Sequence, residues 1–313
     1  MGIRVLQPGA LTTVQDAGRY GYQSMGFPVS GVMDRRSFRI ANMLLGNDET
    51  EAVLEAAMLG PSLCFQEDCF FCITGADMQP KLDGVDIPLY TALLGKAGAV
   101  LELGLVREGA RAYIAFAGGL DIPPVMGSCS TNLKCGIGGW QGRALRAGDE
   151  IPFRKPKKCL KNLYKRYEKI RECGERHVTL RAVPGPQENL FTEAGIHTFF
   201  SEEYTVTQEY DRMGCRLDGA QIESRGGVDI VSDGIVFGSV QIPASGRPIV
   251  MMADHQTTGG YAKIATVIST DLPKLAQRMP GDTVSFEAVS IEEAQRIARK
   301  EEAWMRRFRR ATN

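Results

Sequence analysis

No apolar run in this 313-residue chain approaches the roughly 18 residues of a membrane span, so no transmembrane helix is expected. Neither charge sign is in excess. Lys plus Arg and Asp plus Glu number 37 each, which leaves no electrostatic case for a nucleic-acid or acidic-membrane partner. Histidine is scarce, with three residues, and only His255 stands in a polar cluster. The cysteines show no zinc spacing. Cys69 and Cys72 form a C-x-x-C inside the apolar run C-F-F-C-I, where a strand points them to opposite faces as buried thiols. There is no G-K-[ST] phosphate loop. The N-terminal M-G-I-R-V-L runs directly into a strand-like pattern without a secretory signal, so a reducing cytoplasm is the expected compartment.

What the chain has is glycine, 35 residues of it, mostly beside Thr, Ser, Asp or Arg. That pattern predicts many turns and short strands rather than a helical bundle. The length predicts two domains. The first, residues 1–153, reads as strands interrupted by a helix from about Asp34 to Leu45. Asp34 is its N-cap, Phe38, Ala41, Leu44 and Leu45 its apolar face, and Gly46 its stop. A second short helix is expected over Glu51 to Met58. Residues 154–176 hold ten basic side chains in 23. They read as a basic helical linker whose apolar side is Leu160, Leu163, Tyr164 and Tyr167. The second domain spans 177–289. A C-terminal helix over 290–313 opens on the capping box Ser290-x-x-Glu293 and ends in a charged, solvent-facing R-R-F-R-R.

Two distant stretches share one pattern. Gln15, Asp16, Arg19 and Gly21 match Gln208, Glu209, Arg212 and Gly214 as Gln-acid-x-x-Arg-x-Gly. Gly109-x-Arg111 is echoed by Gly246-Arg247, and Gly148-Asp149 by Gly281-Asp282. Three matches in one order suggest a duplicated unit, with a site expected between the halves.

The densest candidate for chemistry is Asp254 to Tyr261, where an acid, an amide, two hydroxyls and two glycines follow the apolar run I-V-M-M. Such a grouping lets backbone N–H groups approach a ligand closely, or else is a polar turn that caps its own backbone. Arg19 and Arg212 can present planar forks to a carboxylate or phosphate, or can form internal pairs within their motifs. Gly127-Ser128-Cys129-Ser130-Thr131 and Gly138 to Arg143 form a hydroxyl-rich and a glycine-rich loop. Cys129 lacks a convincing histidine base in either His177 or His197.

T-T-V-Q-D-A-G-R-Y-G-Y-Q at 12–23, S-G-V-M-D at 30–34 and R-I-A-N-M-L-L-G-N at 39–47 resemble the second subunit of the allophanate hydrolase and biotin-dependent carboxyltransferase family. So do G-S-C-S-T-N-L-K at 127–134, G-G-W-Q-G-R at 138–143, D-R-M-G-C-R-L at 211–217, V-Q-I-P at 240–243 and D-H-Q-T-T-G-G-Y at 254–261. The resemblance is collinear over residues 3–290 and points to the KipA-type branch. It implies a mainly β fold of two cyclophilin-like β-barrel domains with a few helices. It implies work with a smaller KipI-like partner and a third protein of the LamB/YcsF type, opening 5-oxoproline to glutamate with ATP and an assumed Mg²⁺. Two alternatives stay open: the carboxyltransferase component of a biotin-dependent urea or amide carboxylase, or a non-catalytic protein that binds a KipI-like partner. The chain has no A-M-K-M biotinyl motif and no amidase Ser-Ser-Lys signature. It is therefore not expected to carry biotin, to hydrolyse allophanate or to act alone.

The resemblance also favours Asp254 over His255. The expected catalytic set is Asp254, Gln256, Arg212 and Asp16, with the arginines facing phosphate and a carboxylate orienting water. The expected substrate-binding set is Gln15, Arg19, Gln241, Thr257, Thr258, Gly259, Gly260, Tyr261 and Ser130. Their amides suit the N–H and C=O edges of a lactam or urea-like substrate.

Overall fold

The computed structural model describes residues 1–157, 159–169 and 174–312, and it is mainly β, as expected. Two compact units interleave in the sequence. One comprises Met1–Arg19, Ser30–Gly174 and the chain from Ala303; the other comprises Tyr20–Val29 and Glu175–Glu302.

The first unit opens with β1 (Gly2–Gln7), β2 (Leu11–Gln15) and α1 (Arg35–Leu44). It continues with β3 (Val53–Ala57), β4 (Ser62–Phe65), β5 (Cys69–Asp77), β6 (Lys81–Leu82) and β7 (Val85–Asp86). It closes with β8 (Leu93–Gly95), β9 (Val100–Glu102), β10 (Glu108–Phe116) and β11 (Glu150–Pro152). These form a six-stranded sheet, β11-β1-β4-β9-β6-β7, and a five-stranded sheet, β2-β3-β10-β5-β8. The alternation of β5 and β10 explains the layering. Phe71, Ile73, Ile114 and Phe116 face the core between the sheets. Phe70, Cys72, Tyr113 and Ala115 face a second core under α1. Cys69 and Cys72 accordingly lie in different cores, and burial raises the Cys69 thiol to about 12.

Helix α1 begins where expected: the Asp34 carboxylate accepts from the Ser37 N–H at 2.9 Å. The short helix expected over Glu51 to Met58 is instead β3, paired on both sides by β2 and β10. Two partner strands outweigh the weak helical preference of V-L-E-A-A.

The basic segment is also different from expectation. Its described residues form one 3-10 turn, Leu163–Lys165, and no α-helix, with Asn162 in the left-handed region before it. Leu160 is buried beside α1. The Lys157 ammonium donates to Leu45 O at 3.0 Å and to Gly46 O, and Arg166 Nη1 donates to Leu44 O at 2.9 Å. Both cations thus satisfy carbonyls at the C-terminal end of α1, where the helix dipole favours positive charge. Lys158 and residues 170–173 lie outside the described residues.

The second unit contains β12 (His177–Pro184), α2 (Glu193–Ser201), β13 (Tyr204–Tyr210), β14 (Gly214–Asp218) and β15 (Asp229–Gly234). It continues with β16 (Ser239–Gln241), β17 (Ile249–Met251), β18 (Thr258–Tyr261), β19 (Lys263–Val267), α3 (Leu272–Ala276) and β20 (Thr283–Ala288). Seven strands close a barrel in the order β12-β19-β16-β17-β14-β13-β20, and β15 pairs with β18 as a separate ribbon. Leu180, Val206, Leu217, Val240, Val250, Ile264 and Val284 are buried from these strands. Phe199 of α2 stacks on Phe286 with centroids 4.4 Å apart.

The last helix, α4 (Ile291–Thr312), forms as expected, and Ser290 Oγ accepts from the Glu293 N–H at 3.1 Å. Glu293 turns to Arg296 at 2.6 Å. The tail is not wholly solvent-facing: Met305 and Phe308 join the core under α1, and the Arg36 guanidinium lies 4.5 Å from the Trp304 ring centre.

One expected repeat is real at atomic detail. Asp149 N donates to Arg146 O at 3.1 Å while Arg146 N donates to the Asp149 carboxylate at 2.7 Å. In the second unit Asp282 N donates to Met279 O at 3.0 Å and Met279 N to the Asp282 carboxylate at 2.9 Å. Gly148 and Gly281 both take positive φ, 90° and 93°. The first turn exchanges backbone bonds with Val5 of β1, the second with Val206 of β13. This equivalence separates the Gln-acid motifs: Gln208 shares β13 with Val206, whereas Gln15 ends β2, the strand after β1. The two Gln-acid-x-x-Arg patterns therefore occupy different places relative to the repeated turn.

Candidate functional site

In the first unit the motif-rich loops converge on Asp16. Its Oδ1 accepts from Ser128 Oγ at 2.6 Å, Ser130 Oγ at 2.5 Å and Gly18 N at 2.8 Å, and its Oδ2 from Cys129 N at 2.5 Å. Arg19 is fully buried, with Nε on Val125 O at 3.0 Å and Nη2 on Ser130 O at 2.9 Å. Gln15 Nε2 donates to Thr131 O at 3.1 Å, and Asn132 Nδ2 to Ser30 Oγ at 3.0 Å. Gly138 packs so closely that a Cβ there would stand 2.1 Å from Ser130 O. A buried carboxylate surrounded by donors and an arginine facing carbonyls is what holds an irregular loop in one shape. Asp16, Arg19, Gln15 and Ser130 are thus brought together. The Asp16 carboxylate, Arg19 Nε and Nη2, Gln15 Nε2 and Ser130 Oγ all meet the protein itself, while Gln15 Oε1 is buried without a hydrogen-bond partner. Cys129 gains no activation here: burial first, then the Asp16 and Glu51 charges, push its thiol up to about 11.

In the second unit Arg212 and Asp254 face each other. Arg212 Nε donates to Asp254 Oδ2 at 2.9 Å and Nη2 to Oδ1 at 3.2 Å. Asp254 N also donates to Arg212 O at 2.7 Å, and Met252 N to Met213 O at 2.9 Å. Asp254, the carboxylate expected to orient water, is one arm of a bidentate pair that clamps the 252–254 loop onto the Arg212–Met213 turn. His255 is buried with Nδ1 2.7 Å from Gln256 O. Burial holds its imidazole below the usual range, against the opposing pull of the Gln256 bond and Asp254, so it is neutral at pH 7.

Beside this clamp opens a cavity of about 470 Å³ within the second unit. Its lining includes neither Arg212 nor Asp254. Gln208, Glu209 and Tyr210 enter from β13, Gly214 and Arg216 from β14, and Gln241 from β16. Ile249 and Met251 of β17 supply apolar wall, with Gln256 and Tyr261 completing it. Gln241 is buried and donates to Tyr261 O at 3.3 Å. Asp211, also in the lining, accepts from Met213 N at 2.7 Å and Gly214 N at 3.1 Å, so it shapes the β13–β14 turn. Glu209 and Arg216 form an ion pair, 2.9 Å between Oε2 and Nε.

Of the expected site residues, the structure brings Gln241, Gln256 and Tyr261 to this cavity. It places Thr258, Gly259 and Gly260 on the β18 ribbon and Thr257 just before it. A Cβ on Gly259 would lie 2.6 Å from Ile235 Cδ1 and 3.0 Å from Gln241 Nε2, so the ends of these two side chains would have to shift to admit one. Sequence reasoning noted Gln208 and Glu209 only as a repeat and missed Arg216. The signal was the alternation C-R-L-D, which buries Cys215 and Leu217 and turns Arg216 outward.

The mainly β architecture is that of a known class of proteins. A carboxyltransferase domain family, subdomain A and B, matches residues 25–288. The chain belongs to that family. It is 38% identical over 308 residues to the C subunit of 5-oxoprolinase from Haemophilus influenzae, covering 98% of both chains. It is 39% identical over 292 residues to the C subunit of 5-oxoprolinase from Escherichia coli, covering 93% of both. Urea amidolyase of Saccharomyces cerevisiae is 32% identical over 311 residues, 94% of this chain and 17% of that one. The solved urea amidolyase of K. lactis superposes with a TM-score of 0.90 at 29% identity over 98% of this chain, which spans 20% of that protein.

Proposed function

We propose that this chain is the C component of an ATP-dependent, cytoplasmic 5-oxoprolinase that converts 5-oxoproline to glutamate together with a KipI-like and a LamB/YcsF-like partner. The observation that carries this reading is the end-to-end match to two proteins named as the C subunit of 5-oxoprolinase, against a match to only 17% of a urea amidolyase. The cavity in the second unit is the substrate site. Gln208, Gln241 and Gln256 supply side-chain amides, which donate to a lactam C=O and accept from its N–H. Ile249 and Met251 suit the ring methylenes.

ATP supplies activation of an otherwise unreactive amide oxygen. The described residues of this chain do not fit a phosphate cradle. Arg19 faces loop carbonyls and Arg212 faces Asp254, and no group of three His, Cys, Asp or Glu among the described residues could hold a metal ion. The role proposed for this chain is to bind and orient the lactam, with nucleotide and Mg²⁺ acting in the assembled complex.

Co-expression of the three proteins tests the reading by 5-oxoproline-dependent ADP release. Release by the complex and none by this chain alone is the expected result; turnover by the isolated chain, or none by the complex, contradicts it. The 0.90 superposition on urea amidolyase favours a second reading, carboxyl transfer to a urea-like amide. Under that reading turnover requires a biotinylated partner and is abolished by avidin, whereas the 5-oxoprolinase reading predicts no effect of avidin.

A further inference from the structure

The cavity wall contains a single cation among the described residues that line it, Arg216. Its backbone belongs to β14, whose neighbours Cys215 and Leu217 point into the barrel core, so the guanidinium is carried outward on a rigid strand. The position is anchored further by Thr207 Oγ1, which donates to Arg216 O at 3.0 Å. The acids nearby differ in their freedom. Asp211 is held by two backbone N–H groups of its own turn. Glu209, 75% exposed, meets only the half-exposed Arg216 edge through its side chain, at 2.9 Å. An exposed pair of this kind is weak and exchanges readily with water or another carboxylate.

We propose that Arg216 is the residue by which this cavity selects a substrate bearing a carboxylate, and that Glu209 is its built-in competitor for the same guanidinium edge. The inference rests on the 5-oxoprolinase reading and deepens it. 5-Oxoproline carries a carboxylate on the carbon next to its ring nitrogen, and urea carries none. A wall that offers three amides together with an arginine fork therefore reads both ends of the lactam acid: amide to amide, carboxylate to guanidinium. Binding moves the Glu209 carboxylate out into solvent, where its charge is hydrated. It also replaces one acid on Arg216 by another, so the local charge balance in the wall is kept.

Two substitutions with opposite expected signs test this, each made in the complete three-protein complex. Arg216→Gln is expected to raise KM for 5-oxoproline roughly 10- to 100-fold, the scale of a lost charge-assisted hydrogen bond. Glu209→Gln is expected to lower it several-fold. 2-Pyrrolidinone, the same ring without the carboxylate, is read as substrate or competitor and is expected to respond to neither change. Arg216→Lys keeps the charge without the fork and is expected to fall between wild type and Arg216→Gln, which guards against misfolding of the glutamine variant. A fall in kcat with unchanged KM in Glu209→Gln would make Glu209 a catalytic carboxylate and overturn the proposal. Unchanged KM in both variants overturns it while leaving the 5-oxoprolinase reading intact. A wild-type complex without 5-oxoproline turnover overturns that reading, and the proposal with it.

Discussion

The two Gln-acid-x-x-Arg stretches use the same residue types for different ends. In both, the arginine serves the protein: Arg19 ties down the carbonyls of the 125–130 loop, and Arg212 clamps Asp254. The acids diverge. Asp16 is buried under four donors, whereas Glu209 lines an open cavity and reaches only Arg216. The glutamines diverge likewise, with Gln15 inside the loop cluster and Gln208 on the cavity wall. A motif matched in sequence thus specifies a local strand end and turn, and the surroundings decide whether its polar atoms hold structure or face a ligand. That the repeated Gly-Asp turn pins Val5 in one unit and Val206 in the other explains why: the motifs lie on different strands relative to the feature that truly repeats.

The largest effect expected from breaking this comparison is at Arg212. Arg212→Met leaves the Asp254 carboxylate, only 12% exposed, without its bidentate partner and should cost about 3 kcal/mol in chemical denaturation. Asp16→Asn removes the charge that four donors address and should cost about 2–3 kcal/mol. Glu209→Gln, made on the matching acid, should leave the denaturation midpoint unmoved. Equal losses at Asp16 and Glu209 would erase the distinction drawn between the copies.

A smaller effect concerns pH. Burial depresses the His255 pKa in the folded protein below its unfolded value of about 6.5, so the unfolded state binds the extra proton. Stability should therefore be constant above that value and fall as pH drops through about 6.5 towards the folded pKa, by up to about 1.4 kcal/mol per pH unit. A His255→Asn protein should lack this slope between pH 7 and 5. Asp271 acts in the same direction at lower pH. Burial would raise its carboxyl, but bonds from Arg181 and Lys274 prevail and hold it below the usual range. Its contribution is complete above about pH 4 and is lost as pH falls through the folded value. Asp271→Asn should flatten the acid limb of the stability curve.

Much of the architecture was legible. Glycine-punctuated strands, the Asp34 cap and the Ser290 cap are local signals, and each is present. The errors came where tertiary partners overrode local preference: Val53–Ala57 became a strand paired on both sides, and Lys157 and Arg166 turned their cations onto the end of α1, with a 3-10 turn at Leu163–Lys165 in place of a helix. The site was only partly legible. Polar residues beside glycine drew attention to Asp254 and Arg212, but composition cannot show that two such groups pair with each other. Arg216 was hidden because a charged residue alternating with buried ones reads as ordinary solvent-facing strand.

The most direct test sets Asp16→Asn beside Arg216→Gln in the assembled complex, measuring the denaturation midpoint and 5-oxoproline-dependent ADP release for each. The account predicts a lowered midpoint with near-normal kcat/KM for the folded Asp16→Asn complex. For Arg216→Gln it predicts an unchanged midpoint with kcat/KM reduced roughly 10- to 100-fold. The opposite pattern, activity lost at Asp16 without instability and retained at Arg216, would contradict it.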